Sequence, residues 1–322
     1  VKAFVTGGTG FVGSHLVEAL SRVGVEIFAL IRNPKRLKWL KGLNFHILEG
    51  DLFSIPSLPG DLDVVYHLAA LTKATKAKDY YTVNHRGTAS LFESLSRQGL
   101  NPKIIQVSSL SASGPSVEGR PVREDDPPQP VSPYGRSKLL AEGEALRRKD
   151  KLSVVILRPG TIFGARDRDM LVLLKLVKRG ILPKIFDGRL RVSLCYIKDV
   201  VRALLLCLRH NLSSGEILHI AAADPPSAMD IGQMAAGLMG LKPRLVNISP
   251  RVAGAAARMM EWSARLAKKR ASLNRNLLRE MKEITWVADV RKAAERLGFR
   301  AETPLPMALI ETIGWYREQG WL

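Results

Sequence analysis

The sequence predicts an α/β protein: a doubly wound parallel sheet with a smaller, partly helical C-terminal region. Three observations carry that prediction. Short, almost wholly apolar runs alternate with helical patterns, as expected when helices cover both faces of a parallel sheet. The first run, Lys2 to Thr6, feeds straight into Gly7-Gly8-Thr9-Gly10-Phe11-Val12-Gly13, a glycine-rich strand-turn-helix junction. With 322 residues and 46% hydrophobic content, the chain is long enough to bury a large core.

Taken in order, a helix is expected from Val12 to Arg22, with Leu16, Ala19 and Leu20 on one side and Gly24 as its stop. Strands follow at Glu26 to Ile31, Phe45 to Leu48 and Val64 to Leu68. A helix from Tyr81 to Arg97 leads to a strand at Lys103 to Val107. Pro121 to Pro133 has loop chemistry. A helix from Tyr134 to Arg148 and a strand from Ser153 to Leu157 complete another unit. Beyond Pro159 the regularity fades. Helices are expected at Leu171 to Lys178, Ile197 to Leu208, Asp230 to Met239, Arg251 to Lys269, Val290 to Leu297 and Leu305 to Glu318, and a strand at Ile217 to Ala221. The chain thus divides into a dinucleotide-binding region, 1–160, and a mainly substrate-binding region, 161–322, with some segments returning to the first. Ligands in such folds bind outside the carboxyl ends of the strands, so the second half is expected to shape the substrate cavity.

Composition narrows the function classes. The two cysteines, Cys195 and Cys207, make no disulfide framework, and the six histidines fall into no metal-ligand spacing, so no metal is expected. Val1 opens directly into a strand, so no signal peptide is expected, and a cytoplasmic location is the default. The net charge of +19 could attract anions, but there is no zinc-finger spacing, RNP-like strand or long basic tail, which argues against a nucleic-acid partner. In the 251–282 segment, Val252, Ala256, Met259, Trp262 and Leu266 recur at helical spacing among Arg258, Arg265, Lys268, Lys269 and Arg270. The expected arrangement is a helix packed on the core with its charges in water. The alternative is peripheral contact with an anionic membrane.

Gly7, Gly10 and Gly13 stand where a tight turn, close approach to a pyrophosphate and close helix packing each exclude a Cβ. The phosphates would rest on amides at the positive end of the following helix. At the end of the second strand an acidic residue would favour NAD. The chain instead places Arg32 there, with Lys35 and Arg36 nearby, a set suited to a 2′-phosphate, so NADP is expected over NAD. Asp51 is placed to hydrogen-bond an adenine amino group or to cap a turn. Ser108-Ser109 ends the fifth strand, and Tyr134 and Lys138 lie one helical turn apart. Lys138 would hold the nicotinamide ribose and lower the Tyr134 phenol pKa, fitting Tyr134 as general acid or base. Ser109, assisted by Ser111, would hold the substrate oxygen.

These motifs resemble an extended short-chain dehydrogenase/reductase of the NAD-dependent epimerase/dehydratase group. Thr6 to Gly13, Asp51-Leu52, His67-Leu68-Ala69-Ala70, Asn84, Ser108-Ser109, Pro133 to Lys138 and Arg158-Pro159 stand in the family's order. The resemblance implies a Rossmann fold and a catalytic set of Ser109, Tyr134 and Lys138, with Asn84 in support. It also implies a dinucleotide held by Gly7, Thr9, Gly10, Phe11, Val12, Gly13, Asp51, Leu52, Leu68, Ala69, Ala70 and Val107. Tyr134, Lys138, Pro159, Gly160 and Thr161 would complete that site. Ser109, Ser111, Tyr134 and Thr161 would meet a small-molecule substrate, and the family implies a homodimer. Nucleotide-sugar members often carry an Arg where this chain has Val192, with Arg191 one residue off; on a strand that shift turns the side chain to the other face. The expected activity is therefore interconversion of a secondary alcohol and a ketone, closest to the steroid dehydrogenase and dihydroflavonol reductase branch. The alternatives are a nucleotide-sugar epimerase or dehydratase with retained cofactor, and a non-enzymatic dinucleotide-binding regulator.

Overall fold

The structure, a computed structural model, describes residues 1–116, 120–185, 190–266, 278, 280 and 285–322. The first half runs β1 (Lys2–Thr6), α1 (Phe11–Arg22), β2 (Glu26–Ile31), β3 (His46–Glu49), β4 (Val64–His67), α2 (Ala77–Tyr80), α3 (Gly87–Arg97), β5 (Lys103–Val107), α4 (Leu110–Ser113), α5 (Pro133–Leu146) and β6 (Val154–Pro159). The second half adds β7 (Thr161–Phe163), α6 (Asp169–Lys178), β8 (Ile181–Ile185), β9 (Arg191–Val192), β10 (Leu194–Tyr196), α7 (Ile197–Arg209) and β11 (Glu216–Ile220). It continues through α8 (Ala228–Leu238), β12 (Arg244–Ile248), α9 (Pro250–Leu266), β13 (Thr285–Trp286), α10 (Arg291–Leu297) and α11 (Leu305–Glu318).

Seven of these strands form one parallel sheet in the order β11-β6-β5-β4-β1-β2-β3. Successive side chains of β1 serve opposite faces, as the two-residue period of a strand requires. Val5 joins Leu16, Val17 and Leu20 of α1 and Leu204 of α7 on one side. Phe4 joins Leu91, Phe92 and Leu95 of α3 on the other. Order reverses between β1 and β4, the switch point at which such sheets open a crevice. The register aligns the carboxyl ends: Thr6 lies beside Leu30 and His67, and Val107 beside Leu157. Residues immediately after these ends therefore share one edge of the molecule.

Three local departures from the sequence reading matter here. The helix expected from Tyr81 begins as a π-helical segment, Tyr81–Arg86, and becomes α-helical only at Gly87. The second half contains short parallel pairs, β7 with β10, β8 with β12 and β9 with β13, that the sequence reading did not anticipate. Finally, α9 packs the face opposite to the one its pattern suggested. Ala253 and Ala257 are buried with Leu278, while Val252, Met259 and Trp262 face solvent. Small residues let the helix approach closely, and the bulky apolar side chains are left outside. The rest of the basic segment, apart from Leu278 and Glu280, lies outside the described residues. Among the described residues, no helix is long and apolar enough to cross a membrane.

Candidate active site

The glycine turn is built as a cradle. Gly7 has φ +76°, and a Cβ there would lie 2.7 Å from the Ala69 amide nitrogen. A Cβ on Gly13 would lie 2.2 Å from the Gly7 carbonyl oxygen, so only glycine lets α1 sit this close to β1. The Gly10 amide donates to Gly7 O at 2.9 Å, closing the turn. No side chain caps α1, leaving the first amides, those of Phe11 and Val12, for an anion at the positive end of a 12-residue helix. These features fit a dinucleotide pyrophosphate.

Behind the turn, a buried polar chain fixes β4 against β1. Thr6 Oγ1 and His67 Nδ1 are 2.8 Å apart, His67 Nε2 and Thr88 Oγ1 2.8 Å, and Thr88 Oγ1 donates to Asn84 O at 2.6 Å. Burial, with the Lys138 charge adding to it, pushes the His67 pKa down to about 3, so the imidazole is neutral. Asn84 sits in the π-helical segment and bonds in three directions. Its Oδ1 accepts from Leu71 N at 2.7 Å, and its Nδ2 donates to Leu71 O at 3.0 Å and Ser137 Oγ at 2.9 Å. It ties the loop after β4 to α5, a positioning role consistent with π-turns recurring at functional sites.

Helix α5 starts at Ser132, whose Oγ accepts from Gly135 N at 3.0 Å, with Pro133 in the first turn. Tyr134, Lys138 and Glu142 follow at four-residue intervals along one stripe. The buried Lys138 donates to Val107 O at 2.7 Å. Burial lowers its pKa to about 8, with Glu142 opposing. Ser109, two residues past the end of β5, caps α4, its Oγ accepting from Ser111 N at 3.1 Å, and its side chain stands beside the Tyr134 phenol. The expected depression of the phenol pKa by Lys138 is corrected here. Burial holds the phenol above its ordinary value, Ser109 opposes this, and Glu280 and Tyr80 add to the rise. The Lys138 ammonium is directed at the Val107 carbonyl instead.

Two acidic residues escaped the sequence reading. Glu280 Oε1 accepts from Ser132 Oγ at 2.5 Å, with the Ser111 side chain beside its carboxylate. Burial raises its pKa, and it stands at the positive end of α5 beside the phenol. Glu142 is fully buried and pairs bidentately with Arg158 at 3.0 and 2.6 Å, while Ser108 Oγ donates to it. The Arg158 side of that network continues through Ser113 Oγ, at 2.9 Å, to His219. Glu142 was within reach of pattern reading, four residues beyond Lys138; Glu280 had no such signal.

The remaining expected residues divide. Asp51 spends Oδ1 on the amides of Phe53 and Ser54, at 2.8 and 3.1 Å, as a turn cap. Leu52 packs under the Gly87 backbone. Leu68, Ala69 and Ala70 follow β4 beside the glycine turn, while Thr9 O lies 3.5 Å from Lys38 Nζ. Pro159 ends β6, and Gly160 crosses against Ser193 O, where a Cβ would come within 2.2 Å. Thr161 donates its amide to Ser193 O at 2.8 Å and leaves its side chain exposed. Arg191 gives its guanidinium to Pro225 O at 3.0 and 3.2 Å on the surface, and Val192 packs inward, so neither brings a cation to the site.

Residues 3–221 match the family described as NAD dependent epimerase/dehydratase. The chain belongs to that family. It is 29% identical, over 99% of its length and 95% of the relative's, to the "Ceramide reductase" of Caulobacter vibrioides (strain NA1000 / CB15N). The solved structure of MoeE5 in complex with UDP-glucuronic acid and NAD is 30% identical, with a TM-score of 0.78 and coverage of 99% of this chain and 100% of the other. The UDP-glucuronic acid 4-epimerase of Bacillus cereus, in complex with UDP-glucuronic acid and NAD, is 25% identical with a TM-score of 0.80 and coverage of 99% and 100%. As an epimerase/dehydratase family member, the protein is an NAD-dependent enzyme of the extended short-chain dehydrogenase/reductase type, acting on a small molecule. The expectation of NADP over NAD is overturned, because these solved members were captured with NAD. The geometry gives the reason. Arg32, Lys35 and Arg36 are exposed, and among the described residues no side-chain partner orients the Arg32 guanidinium. Asn33 folds the segment into a tight turn by accepting from Lys35 N at 3.0 Å. Solvated charge of this kind is not a preorganised phosphate clamp.

Proposed function

We propose that the protein binds NAD and moves hydride at a hydroxyl-bearing carbon of a nucleotide sugar, in the manner of an epimerase or dehydratase. The observation that carries this reading is the whole-length likeness to MoeE5 with UDP-glucuronic acid and NAD. It supports the nucleotide-sugar alternative over the simple alcohol–ketone reaction expected from sequence. Bound NAD supplies the hydride acceptor and donor. Tyr134 takes the hydroxyl proton onto Oη as the carbon is oxidised and returns it on reduction. Ser109 Oγ donates to the same oxygen as charge develops on it. Lys138 orients the ribose from the buried stripe it shares with Tyr134, and Asn84 fixes α5 through Ser137.

A second reading is favoured by a specific observation. Position 192 brings no cation to a diphosphate, and the ceramide reductase relative spans the same length. Reduction of a ketone on an apolar, lipid-like substrate is that reading. Mass spectrometry of the ligand retained by the purified protein separates the two. A UDP moiety with NAD supports the first; NAD alone, with turnover only of long-chain keto substrates, replaces it by the second. For either reading, Tyr134→Phe is expected to lower turnover about 10²–10⁴-fold while NAD affinity, followed by fluorescence, stays near wild type. Unchanged turnover would remove Tyr134 from the mechanism.

A further inference from the structure

We propose that the outward face of α9 seats the protein on an anionic lipid bilayer, whichever substrate the active site takes. The helix is inside out relative to an ordinary surface helix. Its packed face is made of small residues, Ala253 and Ala257, at 2% and 0% exposure. Its solvent face carries Val252, Met259 and Trp262 at 60%, 68% and 64% exposure, with the exposed Ala255 between them. Positions 252, 255, 259 and 262 form one continuous stripe along the helix. Large apolar side chains on a solvent-facing stripe mark a surface that something covers.

The borders of the stripe identify what covers it. Arg251 and Arg258, both exposed, run along one edge, a turn or two apart on the same side. The chain as a whole carries a net charge of +19. The strand leading into the helix, β12, contributes exposed Leu245 and Val246, at 53% and 40%. An apolar stripe with a tryptophan and a basic border is the arrangement of helices that lie in the headgroup region of anionic membranes. Trp suits that depth because its ring is apolar and its N–H is polar. Basic residues near such a surface add electrostatic attraction to its anionic headgroups. Among the described residues the helix carries Arg251, Arg258 and Glu261 and is not apolar enough to span, so it lies on the bilayer rather than through it. A nucleic acid would use the arginines and leave the apolar stripe in water. A second copy of the chain would bring the same arginines face to face.

The test is sedimentation of the full chain with phosphatidylcholine vesicles, with and without phosphatidylglycerol. Wild type is expected to partition onto the phosphatidylglycerol vesicles and to be released by salt. Met259→Asp with Trp262→Asp is expected to cut the bound fraction about tenfold or more while thermal midpoint and NAD binding stay unchanged. Arg251→Glu with Arg258→Glu is expected to remove the preference for anionic vesicles. Should the double Asp variant unfold, quenching of native tryptophan fluorescence by brominated lipid, lost in Trp262→Phe, gives the same readout. The proposal fails if wild type binds anionic vesicles no better than neutral ones, or if the variants bind like wild type. It also fails if the Asp substitutions merely convert a dimer to a monomer in light scattering without changing vesicle binding.

Discussion

Glu280 places a negative charge beside the phenol that becomes negative in the proposed reaction, and the consequence is a shifted pH response. Its carboxylate adds to the rise in the Tyr134 pKa, second to burial among the raising influences. Glu280→Gln keeps an acceptor for Ser132 but removes the charge. The phenolate is then easier to form, so the limb of the kcat/KM–pH profile for alcohol oxidation that reports Tyr134 should move to lower pH, on the order of one unit. The stability change has its own sign. The folded-state pKa of Glu280 is raised, so the folded protein binds more protons than the unfolded chain just above the ordinary carboxylate pKa. Wild-type stability therefore falls as pH rises through that window, and the glutamine variant lacks the fall. Its thermal midpoint should gain on wild type between acid and neutral pH; a constant difference would place Glu280 in solvent. At this scale the sequence was legible where residues lie one turn apart on one stripe, as Tyr134 and Lys138 do. Glu280 was not, because 148 residues separate it from Ser132 and no periodicity spans that distance. Charge type misled at Arg32 for a related reason: a basic residue in the right place carries meaning only if its surroundings hold it, and here they do not.

Helix α5 shows how an element carries both fold and chemistry. Tyr134 and Lys138 hold the proposed chemical roles, and one turn further Glu142 locks the helix to β6 through Arg158 and to the end of β5 through Ser108. Both charges are almost fully buried, at 1% and 3% side-chain exposure. Removing one partner leaves the other uncompensated, which costs about 3–5 kcal/mol, whereas the intact pair is close to neutral against an apolar replacement. Glu142→Gln is therefore expected to lower unfolding free energy by that amount in urea titration and to reduce turnover as α5 loosens. A loss below about 1 kcal/mol, the level of an exposed pair, would mean the pair is not desolvated. Elements with long periodic stretches, such as α1, β2, β5 and α11, were readable because burial imposes a period on them. The pairs β7–β10, β8–β12 and β9–β13 were not. Each has a strand of two to five residues whose partner lies far along the chain, so neither alternation nor a turn announces it. The π-helical start before α3 was equally silent, since one inserted residue leaves the composition of a helix unchanged.

Across the whole molecule, the sheet that creates the site is completed from the second half of the chain. Strand β11 pairs with β6 along its full length, from Glu216 beside Val155 to Ile220 beside Pro159. Val200 and Leu204 of α7 and Leu297 of α10 enter the same apolar cluster as β1 and α1. The sequence changes character near residue 160, with some later segments expected to return to the first region, and the apolar core runs across that point. Large aliphatic side chains stabilise by about 1.5–3 kcal/mol each on burial. Leu218, Ile220, Val200, Leu204 and Leu297 together therefore supply an amount comparable with the roughly 5–15 kcal/mol by which a whole domain is stable. A fragment of residues 1–160 would also expose β6, whose residues are buried throughout, as a bare apolar edge able to pair with other chains. That fragment is expected to lack a cooperative unfolding transition, to aggregate, and to bind NAD far more weakly than the full chain, although it contains Gly7, Gly10, Gly13, Tyr134 and Lys138. Near-ultraviolet circular dichroism and NAD titration of the fragment against the full chain check this. A soluble fragment with native-like NAD affinity would show that the first half folds alone and that β11, α7 and α10 serve the substrate region rather than the core.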